Sequence, residues 1–111
     1  MKIKLIIMLF FATVAVAQTQ KENIEVLGNC DMCKKRIEKA ALNTKGVKYA
    51  SWTAETQQLT LIYNAKKTST KSVAKNIAAV GHEADGIVST EEAYNALPAC
   101  CMYKSVLPHG G

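Results

Sequence analysis

The sequence is poor in aromatic residues, which make up 6% of its 111 residues, so its core must be built mainly from aliphatic side chains. It has no Ser/His/Asp grouping, no glycine-rich phosphate loop and no paired-carboxylate site, and we therefore predict that it is not an enzyme. No long basic stripe interleaved with aromatic residues is present, although the formal charge is +5. Nucleic-acid binding is therefore not expected.

A single long apolar run, residues 5–16, lies at the N-terminus and is broken only by Thr13. Lys2 and Lys4 precede this region, and residues 15–17 form a small-x-small cleavage pattern, which is typical of a secretory signal peptide. An uncleaved anchor is the alternative, but the run is shorter than the roughly 20 residues that span a bilayer. We predict a signal peptide at 1–17 and a periplasmic or secreted protein without stable membrane insertion.

Hydrophobic periodicity divides the rest of the chain into strands of period two and helices of period 3.6. The predicted elements are a strand at 23–27, a helix from Cys33 towards Gly46, strands at 47–53 and 59–63, a helix capped by Ser69 or Thr70 and ended by Gly81, and a strand at 82–88. This order predicts an α+β, ferredoxin-like βαββαβ sandwich over residues 18–88. Residues 89–111 form a tail with a short helix, in which Ser89-x-x-Glu92 has capping-box spacing.

The four cysteines form two close pairs at opposite ends of the predicted mature chain. Cys30 and Cys33 lie at the start of the first helix, whereas Cys100 and Cys101 lie in the tail. Exported cysteines tend to form disulfides, and four of them allow three full pairings. A small structural domain whose cysteines all form disulfides therefore remains an alternative. The spacing of the cysteines, however, favours two chelating sites.

The Cys30-x-x-Cys33 pair is suited to a soft metal ion. Free N–H groups at a helix start favour the negative thiolate, and so do the neighbouring basic side chains of Lys34, Lys35 and Arg36. Thiolates select copper(I), zinc or other thiophilic ions. Because zinc usually takes four ligands, two cysteines fit copper(I) or mercury(II) better.

The surroundings of this pair resemble the heavy-metal-associated domain family of copper chaperones, copper-pump domains and mercury-binding periplasmic proteins. The resemblance covers residues 22–87 and rests on four stretches: Cys30-x-x-Cys33, Gly46-Val47, Leu59-Thr60-Leu61 with Tyr63-Asn64, and residues 80–84. It implies that the two cysteines bind the metal in an exposed loop. It also implies transfer by thiolate exchange to a partner, such as a metal-transporting membrane protein or another metal-binding domain.

Two departures from that family concern the site itself. The loop before Cys30 is one residue shorter and lacks the methionine that anchors it, and Met32 lies inside the motif instead. His82 stands where many relatives carry an aromatic residue or lysine. Because the start of strand four should lie beside the end of strand one, His82 is a candidate metal ligand, the alternative being a surface histidine.

The tail cysteines are also candidate metal ligands. We predict that Cys100 and Cys101 return to the Cys30–Cys33 loop, because the tail is long enough to recross one strand length of roughly 20 Å. A separate tail site, or intermolecular contacts, is the alternative. The candidate ligand set is therefore Cys30, Cys33, His82, Cys100 and Cys101.

The preferred function is that of a soft-metal carrier or scavenger, with copper(I) as the first choice and mercury(II) or zinc as alternatives. A thiol–disulfide oxidoreductase also uses Cys-x-x-Cys at a helix start and is the competing hypothesis. That class usually has an aromatic residue before the first cysteine and a proline facing the pair. Here Asn29 precedes Cys30, and both prolines lie in the tail.

Overall fold

The computed structural model describes residues 18–106, with side chains as far as Lys104. The proposed signal peptide at 1–17 and residues 107–111 lie outside this part of the chain. Its elements are β1 (Thr19–Glu25), α1 (Asp31–Leu42), β2 (Val47–Thr53), β3 (Gln58–Asn64), α2 (Thr70–Ala79), α3 (Glu91–Asn95), a 3-10 turn (Ala99–Cys101) and α4 (Tyr103–Val106). Within residues 18–106, no helix combines the length and the apolar character that crossing a membrane requires.

The three strands form one antiparallel sheet in the order β1-β3-β2. β2 and β3 form the predicted hairpin, and the predicted alternation is clear in β3, where Leu59, Leu61 and Tyr63 are buried. The two longer helices bury their small and branched side chains against the sheet, including Ile37 of α1 and Ile77 of α2. The predicted α+β class is therefore confirmed.

The predicted fourth strand at 82–88 is wrong as a regular strand. Ala84 forms an isolated antiparallel bridge to Val26 beside the end of β1, and a second bridge to Ile87. Asp85 and Gly86 between these two residues have φ angles of +49° and +80°. Two consecutive left-handed residues reverse the chain, so pairing along the sheet edge stops almost at once.

The tail after this reversal packs back onto the domain through a short helix. The side chain of Thr90 accepts a hydrogen bond from the Ala93 N–H, so Thr90 caps α3 and the predicted capping box at Ser89 is wrong. Leu97 is buried against Gly81, where an added Cβ would lie 2.8 Å from the leucine side chain. Gly81 has a φ of +111° after α2, as expected for a glycine that ends a helix.

Candidate metal centre

The first two candidate ligands lie where the loop after β1 enters α1. Cys30 is the N-cap residue, with an extended backbone, and its carbonyl accepts a hydrogen bond from the Lys34 N–H. Cys33 lies in the first helical turn and is fully buried, whereas Cys30 is partly exposed. Their sulfur atoms are 3.2 Å apart. Cys33 also has its sulfur 3.0 Å from the side-chain oxygen of Asn29, which fixes its orientation.

Gln57, in the turn between β2 and β3, holds this loop in place. Its side-chain oxygen accepts a hydrogen bond from the Gly28 N–H at 3.1 Å, and its amide donates to the Gly28 carbonyl at 2.9 Å. Gly28 in turn passes between Cys33 and the ring of Trp52, where an added Cβ would meet both at 3.1 Å. Met32 is 49% exposed, so it does not replace the buried methionine of the family. The loop is instead supported by Gln57 and Trp52.

The tail brings its two cysteines to the same place. The Cys101 sulfur lies 3.7 Å from that of Cys30 and 4.0 Å from that of Cys100. The Cys100 sulfur lies 3.8 Å from the Met32 thioether, and the Cys100 carbonyl accepts a hydrogen bond from the Cys30 thiol. Cys101 is fully buried and Cys100 is exposed, so the tail covers one side of the loop and leaves the other open.

His82 belongs to the same cluster, and its interpretation as a surface histidine is wrong because it is fully buried. A ring nitrogen of His82 and the sulfurs of Cys33 and Cys101 all lie within 4.8 Å of one another. Its Nδ1 lies 2.8 Å from the Leu27 carbonyl. Because a carbonyl can only accept, Nδ1 carries the hydrogen and Nε2 keeps its lone pair. Nε2 is buried and has no hydrogen-bond partner among the described residues.

Tyr103 is the residue that anchors the tail, and sequence reasoning did not identify it. Its hydroxyl donates to the Gly81 carbonyl and accepts from the Glu83 N–H, both at 2.9 Å. Its ring stacks on His82 with centroids 5.5 Å apart, and Tyr94 packs edge-on against it. The available signal was an aromatic residue two positions after the cysteine pair, but nothing in the sequence says which surface it covers.

The surroundings change the acidity of the clustered groups in opposite directions. Burial acts to raise the pKa of the Cys30 thiol, but hydrogen bonds from Cys33, Cys100 and Cys101 outweigh it and lower that pKa to about 7. Burial raises the pKa of Cys33 and Cys101 above the ordinary value. Burial lowers the pKa of His82, which keeps its ring neutral and able to bind a metal. Of Cys30, Cys33 and Cys101, Cys30 is therefore the thiol that most readily becomes a thiolate.

The basic side chains after Cys33 are partly occupied by the fold. Lys34 forms a salt bridge with Glu38 at 2.6 Å and also donates to the Trp52 carbonyl. Arg36 donates to the Val80 carbonyl. Lys35 and Lys39 are exposed and remain available to solvent or to a partner.

Of the comparisons with known proteins, the one with solved structures found similar proteins. No protein-family model matches the chain, and no curated protein sequence does so either. Among solved structures, the chain resembles MerP in its oxidized form from Ralstonia metallidurans CH34, with 30% identity and a TM-score of 0.57 over 60% of this chain and 93% of that one.

Two further structures show the same likeness. The CopZ metallochaperone is 27% identical, with a TM-score of 0.56 over 59% of this chain and 98% of that one. The N-terminal domain of a potential copper-translocating P-type ATPase from Bacillus subtilis, solved in its Cu(I)-loaded state, is 26% identical, with a TM-score of 0.57 over 60% of this chain and 85% of that one. All three likenesses support the ferredoxin-like fold.

Proposed function

This chain belongs to the heavy-metal-associated domain family, and we propose that it is an exported copper(I) carrier. Cys30 and Cys33 are its principal ligands. The observation that carries the proposal is the distance of 3.2 Å between their sulfurs, with the Cys101 sulfur 3.7 Å from Cys30. Copper(I) is a soft ion that thiolates select, and two or three sulfurs in one place suit it.

Copper(I) fits this centre better than the alternative ions. Zinc in a structural site usually takes four ligands, all closed around one ion in a tetrahedron, whereas each group of donors within 4.8 Å of one another in the described part of the chain contains three. Mercury(II) is the second candidate, since this soft ion also binds pairs of thiolates. One of the three neighbours named above, the domain of the potential copper-translocating P-type ATPase, was solved in its Cu(I)-loaded state, which supports copper(I) as the first choice.

Release to a partner follows from the unequal exposure of the sulfurs. Cys30 is partly exposed, whereas Cys33 is fully buried below it. An incoming thiolate of a metal-transporting protein therefore reaches the ion from the Cys30 side. One new copper–sulfur bond forms as one bond to this chain breaks, and no electrons are transferred. Export to the periplasm or outside the cell rests on the apolar segment before residue 18.

The test is an anaerobic titration of the reduced protein with copper(I) against a competing chelator. We expect tight binding that is weakened in both Cys30→Ser and Cys33→Ser. Fluorescence of Trp52, the sole tryptophan, monitors unfolding and shows whether each variant is still folded. Unchanged copper affinity in a folded Cys30→Ser variant would sink the proposal. Weak copper binding together with catalytic reduction of disulfide substrates would favour the oxidoreductase hypothesis instead.

A further inference from the structure

The clustered side chains include two groups of three whose ligand atoms lie close together, and the 3.2 Å contact between the Cys30 and Cys33 sulfurs joins the two groups. Cys30, Cys100 and Cys101 place their sulfurs within 4.8 Å of one another. Cys33, His82 and Cys101 do the same with two sulfurs and a ring nitrogen. The two groups share a single residue, Cys101, and a thiolate has enough lone pairs to bind two metal ions at once.

We propose that the centre holds two copper(I) ions, an outer ion on Cys30, Cys100 and Cys101 and an inner ion on Cys33, His82 and Cys101, bridged by the Cys101 thiolate. This inference rests on the proposed function, because it takes copper(I) as the cargo, and it assigns Cys30 and Cys33, whose sulfurs are 3.2 Å apart, to two neighbouring ions. Each cysteine that binds releases its thiol proton to solvent. Both ions stay in the same oxidation state, so no oxidant or reductant is required.

The outer group has the spacing of a three-coordinate site. A metal–sulfur bond of about 2.3 Å places the corners of a trigonal arrangement roughly 4 Å apart. The separations of 3.7 Å between Cys30 and Cys101 and 4.0 Å between Cys100 and Cys101 agree with this value. The Met32 thioether lies 3.8 Å from the Cys100 sulfur, beside the outer group. The outer ion therefore needs little rearrangement of the loop or the tail.

The inner group contains a histidine that is already arranged as a metal ligand. Metal-binding histidines usually donate their second ring N–H to a carbonyl or carboxylate, which fixes the tautomer. Nδ1 of His82 does this to the Leu27 carbonyl, at 2.8 Å. A buried acceptor without a partner has a cost in free energy, and Nε2 of His82 is such an acceptor. An ion bound to Nε2 removes that cost.

Burial also favours an ion in the inner group. Cys33, His82 and Cys101 are all fully buried. A thiolate in such surroundings is costly unless a positive charge accompanies it. A single ion bound by Cys30 and Cys33 would leave Cys101 and His82 as buried polar groups without a ligand. Two ions use all five side chains.

The test is the copper(I) stoichiometry of the reduced protein, measured by competition titration together with X-ray absorption. We expect two equivalents, a copper–copper scattering path and a nitrogen ligand. His82→Gln should bind one equivalent and lose both the nitrogen and the copper–copper signals. Cys100→Ser should weaken the outer ion and keep the nitrogen signal. His109→Gln, which changes the other histidine of the chain, should retain two equivalents and all signals.

The outcomes separate this inference from the proposed function. A single tight equivalent that depends on Cys30, with no copper–copper path in the wild-type protein, would overturn the two-ion centre and leave the carrier intact. Two equivalents and an unchanged nitrogen signal in His82→Gln would also overturn it. Absence of tight copper binding in the wild-type protein would refute the carrier itself. The wild-type absorption measurement decides the matter even where a variant does not fold.

Discussion

The two pairs of cysteines meet in one cluster, but the chain supports them in different ways. Cys30 and Cys33 begin a helix of 12 residues that packs on the sheet, and Gln57 and Trp52 hold the loop before them. Cys100 and Cys101 lie on a 3-10 turn of three residues, without sheet pairing. That turn is held by packing of its neighbours, chiefly Leu97 against Gly81 and Tyr103 beside His82.

From this difference we expect that the tail opens more readily than the loop. Local opening needs less free energy where few buried contacts and hydrogen bonds are lost. Release of the tail would remove Cys100 and Cys101 from a bound ion, while the loop, α1 and the sheet would remain in place. A carrier benefits from such an arrangement, because the sulfurs of the tail protect the ion and then leave the Cys30 side free for exchange.

The largest effect is expected from Tyr103→Ala, which should release the tail. Truncating a large buried aromatic side chain costs about 3–5 kcal/mol. This variant also removes the hydroxyl that joins Gly81 and Glu83. Because each 1.4 kcal/mol is about a factor of ten, alkylation of Cys101 through the open state should accelerate at least about a hundredfold. Mass spectrometry of each cysteine-containing peptide after timed labelling measures the rate.

Tyr49→Ala is the matched control, because Tyr49 lies on β2 and is 48% exposed. It should leave labelling of Cys101 unchanged. Cys33 should stay protected in Tyr103→Ala, since α1 remains packed on the sheet. Equal acceleration at Cys33 and Cys101 would show that the domain and the tail open together, and the proposed difference between them would be lost.

The same difference explains which features could be predicted from the sequence. The spacing of hydrophobic residues was sufficient to predict the hairpin and both long helices. Residues such as Leu59, Leu61 and Ile77 recur at the period of their element and mark its buried face. The reversal at Asp85 and Gly86 was missed, although an Asp-Gly pair is itself a signal for a tight turn. The roles of Gln57 and Tyr103 depend on which surfaces meet after folding. The local periodicity of hydrophobic residues does not show which surfaces these are.

A thiol of the loop should be more acidic than a thiol of the tail. Hydrogen bonds lower the Cys30 pKa to about 7 against the opposing effect of burial, whereas burial raises that of Cys101. Labelling of Cys30 in the reduced, metal-free protein should therefore rise with pH through a midpoint near 7. A thiolate of lower pKa is also a weaker nucleophile, so the net advantage over an ordinary thiol is roughly fivefold at neutral pH.

The measurement is the iodoacetamide labelling rate of each cysteine between pH 5 and pH 10. Cys33 should still be mostly a protonated thiol at pH 9, because burial raises its pKa as well. Cys100→Ala is a useful second sample, since the Cys100 thiol is one of the groups that lower the pKa of Cys30 and alanine removes that hydrogen bond. The Cys30 midpoint should move upwards in that variant. A midpoint near 9 in the wild-type protein would contradict the hydrogen bonding described here.

The smallest effect concerns Gly81, where the tail contacts the end of α2. Gly81→Ala and Gly86→Ala both place a side chain at a positive φ, of +111° and +80° respectively, which costs about 1–3 kcal/mol of backbone strain. Only at Gly81 does the new Cβ meet the tail, at 2.8 Å from Leu97 and 3.0 Å from the backbone oxygen of Ala93. A backbone oxygen cannot rotate away, so α3 must shift. Both variants should unfold at lower temperature, but only Gly81→Ala should speed the labelling of Cys101, by a factor of about ten for each 1.4 kcal/mol of clash. If Gly86→Ala exposed Cys101 equally, general loss of stability would account for tail release, and the contact between Leu97 and Gly81 would not be what holds the tail cysteines in the centre.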